Sequence, residues 1–322
     1  MFRVQTRCNR LTDKHAPSHS TAPKTLAELR PQYEALCRVL GLDPTLPTTL
    51  ATLRDPSRIP PAKLLHPIET EEIGEHGTFR GCLDGTWLPT SPDPMTWQRT
   101  GDLARALRAK GVMSIAIGDL TEEWYLYAIS HAVQGPRDVL PNLLRYFPRA
   151  IVERLVDKYV APPDDAGAEV AARWMGEMLS DGQVHVPVRL FTRDFYSAGF
   201  PVVRYEIRWT PEQVRPKGEG EEAYAFYLDG QSVCFVGYVT HGTDRCFWAL
   251  RLPNLTDAQQ KVAIAWLDAV DKEVEILERE GKPTRPVHEA LTLREDQTIA
   301  WQVDARWDRL MDIVSTLPGE DA

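Results

Sequence analysis

Apolar residues recur at spacings of three and four along several stretches of the chain, a pattern that predicts amphipathic helices. The two clearest helices are predicted at residues 25–40 and 256–279. Each begins with a threonine followed three positions later by Glu or Gln, which suits a capping box, and each ends at a glycine, Gly41 or Gly281. Further helices are predicted at residues 50–53, 102–110, 139–159, 166–179, 184–197 and 305–314.

Short strand-like runs lie between these helices. Residues 112–117 are apolar on both faces, as strands in the middle of a parallel sheet are, and residues 201–207 and 298–303 are also strand-like. The helix at 102–110 stops at Gly111, and the run at 112–117 then leads into a polar loop. Because the helix at 184–197 and the run at 201–207 repeat this step, the pattern predicts the α/β class with three strands.

Composition narrows the classes of partner. The 322 residues are 43% hydrophobic and 26% charged, as in ordinary soluble globular proteins. A net charge of −9 without a long basic run argues against nucleic acid and anionic membranes as partners. No apolar stretch approaches the roughly 20 residues that span a bilayer, so no membrane span is expected.

The N-terminal region and the cysteines bear on compartment and cofactors. Residues 1–23 are polar and predict a disordered lead without a secretory signal, which leaves a cytoplasmic location as the expectation. Five cysteines without Cys-x-x-Cys spacing favour thiols in a reducing compartment, although one disulfide between Cys234 and Cys246 stays open. The eight histidines form no metal signature, so no metal or cofactor is expected.

Candidate chemistry lies on two polar loops. Glu122 and Glu123 follow the first strand-like run, and His241 comes after the second. An acid followed by a histidine, each on a loop beyond a strand, matches the second half of the order Ser, Asp/Glu, His in an α/β-hydrolase. The carboxylate would orient the imidazole and stabilise its charged form. Taken alone, Glu123 also fits an ordinary glutamate at a helix start, and His241 an ordinary loop histidine.

Aromatic residues flank both loops. These residues could line an apolar pocket for the acyl or alcohol part of a substrate. They are equally compatible with positions in a hydrophobic core. The candidates for the pocket are Trp124, Tyr125, Tyr127, Phe247 and Trp248.

Three segments carry a resemblance to a known family. Residues 83–88 (LDGTWL), 118–124 (GDLTEEW) and 239–244 (VTHGTD) resemble the downstream half of type B carboxylesterases, especially fungal α/β-hydrolases. That family places its acid in Gly-x-x-x-(Asp/Glu)-Glu-Gly and its histidine in His-Gly-x-(Asp/Glu). The resemblance therefore implies that Glu123 is the acid and His241 the general base. Trp124 replaces the family's usual glycine, and the resemblance extends over residues 25–314.

The resemblance also implies an architecture. Residues 24–322 are expected to form the C-terminal part of a single α/β-hydrolase domain, with an incomplete, mostly parallel sheet and flanking helices. In complete members a serine attacks the carbonyl of a small-molecule ester, and the acyl-enzyme is then hydrolysed. The family's oxyanion-loop glycines and Gly-Glu-Ser-Ala-Gly elbow precede the point that matches Thr25.

The nucleophile is the missing part of this prediction. No serine of the 322 residues lies in a Gly-x-Ser-x-Gly elbow, and Ser232 comes closest but lacks the second glycine. The chain is therefore expected to carry the acid and the base and to be inactive alone. Two alternatives stay open: a non-catalytic α/β-hydrolase-like remnant or binding protein, and an enzyme that uses Ser232 or Cys234 as its nucleophile.

Overall fold

The structure, a computed structural model, describes residues 24–69, 73, 81–86, 90–215, 226–228, 231–233, 237–250, 255–317 and 319–320. The predicted disordered lead at 1–23 and Cys234 lie outside the described residues. The strands are β1 (Lys24–Thr25), β2 (Cys82–Leu83), β3 (Ile115–Leu120), β4 (Val202–Ile207), β5 (Phe226–Leu228), β6 (Gln231–Val233), β7 (Glu289–Leu293) and β8 (Ile299–Val303).

Helices surround these strands. The α-helices are α1 (Leu26–Val39), α2 (Thr49–Arg54), α3 (Pro61–Glu69), α4 (Pro94–Arg99), α5 (Asp102–Ala109), α6 (Trp124–Ile129), α7 (Val139–Leu144), α8 (Arg149–Val156), α9 (Ala168–Ser180), α10 (Val186–Ser197), α11 (Arg245–Trp248), α12 (Asp257–Glu280) and α13 (Trp307–Val314). One π-helical turn, Asp181–His185, joins α9 to α10. This turn, wider than an α-helical one, is of a kind that often occurs at functional sites.

A four-stranded sheet holds the structure together, in the order β3-β4-β7-β8. Strands β3, β4 and β7 run parallel, and β8 returns antiparallel to β7. The register pairs Ile115 with Val202 and Leu120 with Ile207, so that β3 and β4 end together. Loops that leave the carboxyl ends of β3 and β4 therefore start side by side. These features establish an α/β fold in which three of the four sheet strands are parallel.

The two faces of the sheet differ because side chains alternate along each strand. Val203, Tyr205 and Ile207 of β4 face α12 in an apolar core centred on Trp266. On the opposite face, Val202 packs with α5 and α10. The other two residues of β4 on that face, Arg204 and Glu206, are charged and buried. One face is thus apolar throughout, whereas the other changes from apolar to charged towards the carboxyl end.

A second core lies away from the sheet. The helices α7, α8, α9 and α13 enclose apolar side chains such as Leu143, Met175 and Leu310, which are fully buried. Helix α9 also packs closely against α6. The loop after β3 is therefore fixed from both sides, by the sheet and by α9.

Helix boundaries agree with the sequence signals. Capping boxes are present at Thr25 with Glu28 and at Thr256 with Gln259. Gly41 and Gly281 take the left-handed conformation where these helices end. The predicted helices at 25–40 and 256–279 are confirmed as α1 and α12.

The strand predictions needed correction. The run at 112–117 was expected to be a strand, but β3 begins at Ile115 and continues through Asp119 to Leu120. In the sequence Gly118 and Asp119 look like the start of a loop, yet all six residues of β3 are buried. Five of the eight described strands, β1, β2, β5, β6 and β7, were not predicted, so the count of three strands was wrong. The segment 139–159, whose helical spacing is interrupted in the sequence by Pro141 and Pro148, forms two helices, α7 and α8.

Within the described ranges, no helix combines the length and the apolar character needed to cross a membrane.

Candidate active site

Glu123 and His241 meet where the loops after β3 and before α11 converge. The Nδ1 atom of His241 lies 3.0 Å from Oε2 of Glu123, although 118 positions separate them in the sequence. The Leu120 amide donates to the second oxygen, Oε1, at 3.3 Å. Glu123 is fully buried, and the His241 side chain keeps 12% of its exposure. An ionised carboxylate only accepts, so this contact places the imidazole proton on Nδ1 and directs Nε2 away from Glu123.

Gly118, the first residue of the segment 118–124, lies where β3 passes very close to Tyr205. A Cβ atom on Gly118 would lie 2.2 Å from the Tyr205 backbone oxygen and 2.3 Å from its ring. Only glycine lets β3 run this close to Tyr205. Burial, and then the carboxylates of Asp244 and Asp119, raise the pKa of the Tyr205 hydroxyl well above its usual value. The Tyr205 hydroxyl is therefore uncharged, and the Tyr205 side chain packs against β3, the strand that leads into the loop of Glu123.

A tight turn shapes the histidine loop. The Thr243 hydroxyl donates to the Thr240 carbonyl at 2.7 Å. Gly242 has φ +84°, in the left-handed region that favours glycine. The Thr243 amide also donates to the Thr240 carbonyl, at 3.1 Å. The turn points His241 back toward the loop after β3.

Three aromatic rings pack together on the segments that carry the pair. Trp124 and Tyr125 pack edge to face at 5.5 Å, and Tyr238 lies 5.1 Å from the first and 4.5 Å from the second. The Arg173 guanidinium lies over the Trp124 ring at 4.5 Å. All three aromatic residues are half-buried. Tyr238 was missed by the sequence analysis, although its position three residues before His241 was a usable signal.

The other proposed pocket residues pack into the two apolar cores. Phe247 is fully buried and stacks with Trp209 at 5.7 Å between ring centroids. Trp248 packs against the apolar core, and its indole N–H donates to Asp244 at 2.9 Å. Tyr127 packs against the second core, and burial, followed by the charge of Glu123, raises the pKa of its hydroxyl. The structure thus gathers only Trp124 and Tyr125 of this set beside Tyr238, and the pocket role of all five stays a prediction.

A second carboxylate–histidine pair lies below the first, and the sequence analysis missed it. Asp119 is four residues before Glu123, and its Oδ2 lies 2.5 Å from Nδ1 of His185 in the π-helical turn. Nε2 of His185 is 3.3 Å from the Arg306 guanidinium. Arg189 donates to the same oxygen of Asp119 at 2.7 Å. The Asp119 side chain is fully buried, and that of His185 is 4% exposed.

Ion pairs extend this buried cluster under the sheet. Arg189 also pairs with Asp304 at 2.7 Å, and Arg306 pairs with Glu206 at 2.5 Å. Arg204 lies 2.9 Å from Asp304, but within the described part of the chain none of its guanidinium nitrogens makes a hydrogen bond. Because a buried charge needs partners, this cluster depends on its internal pairing.

The pKa shifts follow from this arrangement. Burial alone would raise the pKa of the Asp119 carboxyl, but Arg189, Arg306 and His185 together hold it well below its usual range. Burial, with the like charge of Arg189, lowers the pKa of the Arg204 guanidinium to about 10. Asp119 is therefore a stable anion, and Arg204 is the least well compensated cation of the cluster.

The two alternative nucleophiles, Ser232 and Cys234, come in the connection between β4 and His241. Ser232 lies on β6, in the hairpin that this strand forms with β5, and Cys234 lies outside the described residues. Cys246 is buried, and its Sγ donates to the Thr243 carbonyl at 3.3 Å. Among the residues that the structure describes, no group of three or more His, Cys, Asp or Glu could hold a metal ion.

Comparison with known proteins finds a relative of the esterase/lipase class. The chain is 25% identical over 195 residues to an uncharacterized esterase/lipase of Schizosaccharomyces pombe. The match covers 58% of this chain and 35% of the relative, so the chain spans about a third of the length of the curated protein it matches. No family model matches the chain. The chain is thus an α/β protein similar to an esterase/lipase.

Proposed function

We propose that the chain contributes the acid, Glu123, and the general base, His241, to carboxylic-ester hydrolysis of the type B carboxylesterase kind. The observation that carries this is the 3.0 Å contact between Oε2 of Glu123 and Nδ1 of His241, on the loops that precede α6 and α11. The similarity to a fungal esterase/lipase supports the same reaction class. The buried environment of Glu123 supports its role, since a carboxylate shielded from water stabilises a nearby imidazolium more strongly.

Each residue has a defined step in this mechanism. Nε2 of His241 accepts the proton of a serine hydroxyl as the serine oxygen attacks the ester carbonyl. The imidazolium that forms is stabilised by Glu123 and returns its proton to the leaving alcohol. His241 then accepts a proton from the water that attacks the acyl-enzyme, and it returns this proton to the serine oxygen as the acyl–serine bond breaks and the acid leaves. Because no serine of the 322 residues lies in a Gly-x-Ser-x-Gly elbow, the nucleophile in this proposal lies outside them.

The surroundings of the pair suggest the kind of ester. Trp124, Tyr125 and Tyr238 are half-buried and stand beside the loops that carry Glu123 and His241. Aromatic rings of this kind suit an apolar acyl or alcohol group. We therefore expect a small-molecule ester with an apolar portion.

The test measures turnover and active-site labelling. The purified 322-residue chain is assayed on short-chain p-nitrophenyl esters and treated with a fluorophosphonate probe. Without a nucleophile and its oxyanion donors there is no covalent route, so neither turnover nor labelling is expected. In parallel, the transcript is read upstream of the Met1 codon, where an in-frame Gly-x-Ser-x-Gly is expected.

Two results contradict the proposal. Turnover or labelling that Ser232→Ala or Cys234→Ala abolishes would assign the nucleophile to this chain. A transcript with no elbow upstream, together with an inactive chain, would favour the non-catalytic binding protein. Chain carrying His241→Asn serves as the control for reaction of the imidazole itself with activated esters.

A further inference from the structure

Glu122 links the acid loop to the histidine loop at a point that the catalytic pair does not use. Its carboxylate Oε2 accepts the Val239 amide proton at 2.7 Å. Its own amide donates to the Val239 carbonyl at 3.1 Å. Both backbone polar groups of Val239 are therefore bound by one residue, and Val239 is itself buried among apolar side chains.

This link matters because no described strand of the main sheet leads directly into the loop that carries His241. Strand β4 ends at Ile207, and a connection that includes the hairpin of β5 and β6 precedes the histidine loop. The strand that neighbours β3 thus does not place His241 directly. The Glu122–Val239 link acts two residues before His241, and the neighbouring Glu123 contacts His241 itself. Consecutive carboxylates on one loop fix two points of the other loop, which determines both its position and its orientation.

The hydrogen bond from the Val239 amide to the Glu122 carboxylate is of a strong kind. A hydrogen bond from an amide to a carboxylate is shorter and about twice as strong as one between neutral groups. A buried amide left without an acceptor destabilises its segment. Loss of the Glu122 carboxylate would therefore favour movement of Val239 away from the acid loop, and His241 would move with it.

We infer that Glu122 is a positioning residue, which holds His241 in contact with Glu123 by binding the Val239 amide. This inference rests on the proposed function, since it gives Glu122 a role in assembling the acid–base pair. The mechanism above assigns no proton transfer to Glu122. Its effect on chemistry passes through His241.

The experiment follows the Nδ1 proton of His241 in the purified chain labelled with ¹⁵N-histidine. Its resonance is assigned by its loss in His241→Asn, and its exchange with water is read by saturation transfer. We expect exchange about fivefold faster in Glu122→Gln, whose neutral amide is a weaker acceptor, and more than about tenfold faster in Glu122→Ala. Glu275→Gln and Glu275→Ala, at an exposed position of α12, are the matched controls and should leave exchange unchanged.

The outcomes separate this inference from the proposed function. If wild-type protein shows no resonance that His241→Asn removes, the Glu123–His241 contact is absent and both proposals fail. If the resonance is present but exchanges equally in wild type and Glu122→Gln, the proposed function stands and the inference is overturned. A lower thermal midpoint in Glu122→Gln without faster exchange would show that Glu122 stabilises the fold only, which also overturns it. Glu122→Gln decides the matter even if Glu122→Ala does not fold.

Discussion

Two carboxylate–histidine pairs start from the end of the same strand, yet their surroundings differ. Glu123 and His241 are joined at 3.0 Å, and the imidazole keeps 12% exposure. Asp119 and His185 are joined at 2.5 Å, with the imidazole 4% exposed and its second nitrogen beside Arg306. The first pair opens toward solvent on two loops, whereas the second is enclosed by a strand, a helix and arginines.

The difference shows that the residue pair alone does not define a catalytic site. A general base needs one imidazole nitrogen within reach of a substrate or nucleophile. In His185 one ring nitrogen contacts Asp119 and the other contacts Arg306, so the imidazole is part of the buried ion cluster. We therefore assign a structural role to Asp119 and His185 and reserve catalysis, as proposed, for Glu123 and His241.

The largest expected effect comes from breaking the buried cluster. Arg189 pairs with both Asp119 and Asp304, so Arg189→Met leaves two buried carboxylates without their shared partner. Losses of this kind destabilise proteins by about 3–5 kcal/mol. Arg204→Met is the matched control, because Arg204 is buried beside Asp304 but makes no hydrogen bond within the described residues. Urea denaturation should show a much smaller loss for Arg204→Met, and equal losses would contradict the account of the cluster.

A smaller effect is expected at the close approach below the acid loop. In Gly118→Ala the added methyl would meet the Tyr205 backbone and ring, so the strands must shift apart. Overpacking of this kind destabilises by about 1–3 kcal/mol. Gly135→Ala is the control, since its Cβ would meet only the Ala166 carbonyl at 3.7 Å. Thermal unfolding of both variants measures the difference, and a neutral Gly118→Ala would mean that the sheet is more tolerant than the structure indicates.

The mildest test of the cluster is acid titration. The pKa of Asp119 is lowered in the folded state, so its ionised form adds stability above the usual aspartate pKa of about 3.9. That stability is lost as the pH falls below about 4 and through the lowered folded-state value. Asp119→Asn should be less stable than wild type at pH 7, and the gap should narrow toward pH 3. Asp164→Asn, at an exposed position, should show no such narrowing. A gap that stays constant with pH would contradict the ionised state of Asp119.

Local signals in the sequence predicted the helices well. The capping boxes and glycines at the ends of α1 and α12 act within a few residues, so they can be recognised without knowledge of the fold. Strand β3 was placed too early because Asp119 looked like a loop residue, although its partners Arg189 and His185 bury it. Those partners lie 70 and 66 positions away, beyond the reach of any local pattern.

The candidate site was predictable only in part. Glu123 and His241 were chosen by motif resemblance, and the structure brings them together, but their catalytic roles stay a prediction. The buried cluster left one readable signal: Arg204 and Glu206 alternate with apolar residues in a strand that is otherwise hydrophobic. Charged residues at alternate positions of a buried strand indicate oppositely charged partners on the elements that pack against that face of the sheet. Which partners they meet depends on the tertiary structure alone.

The comparison of the two pairs can be tested within a single molecule by site-resolved reaction with diethyl pyrocarbonate, which modifies accessible neutral imidazoles. Peptide mass spectrometry would follow His241 and His185, with the exposed His288 as the internal reference. The account predicts that His241 is modified while His185 stays intact over the same exposure, and that Glu123→Gln changes the rate at His241 but not at His185. Equal modification of both histidines, or protection of His241, would contradict the proposal that, of the two pairs, Glu123–His241 is the one accessible for chemistry.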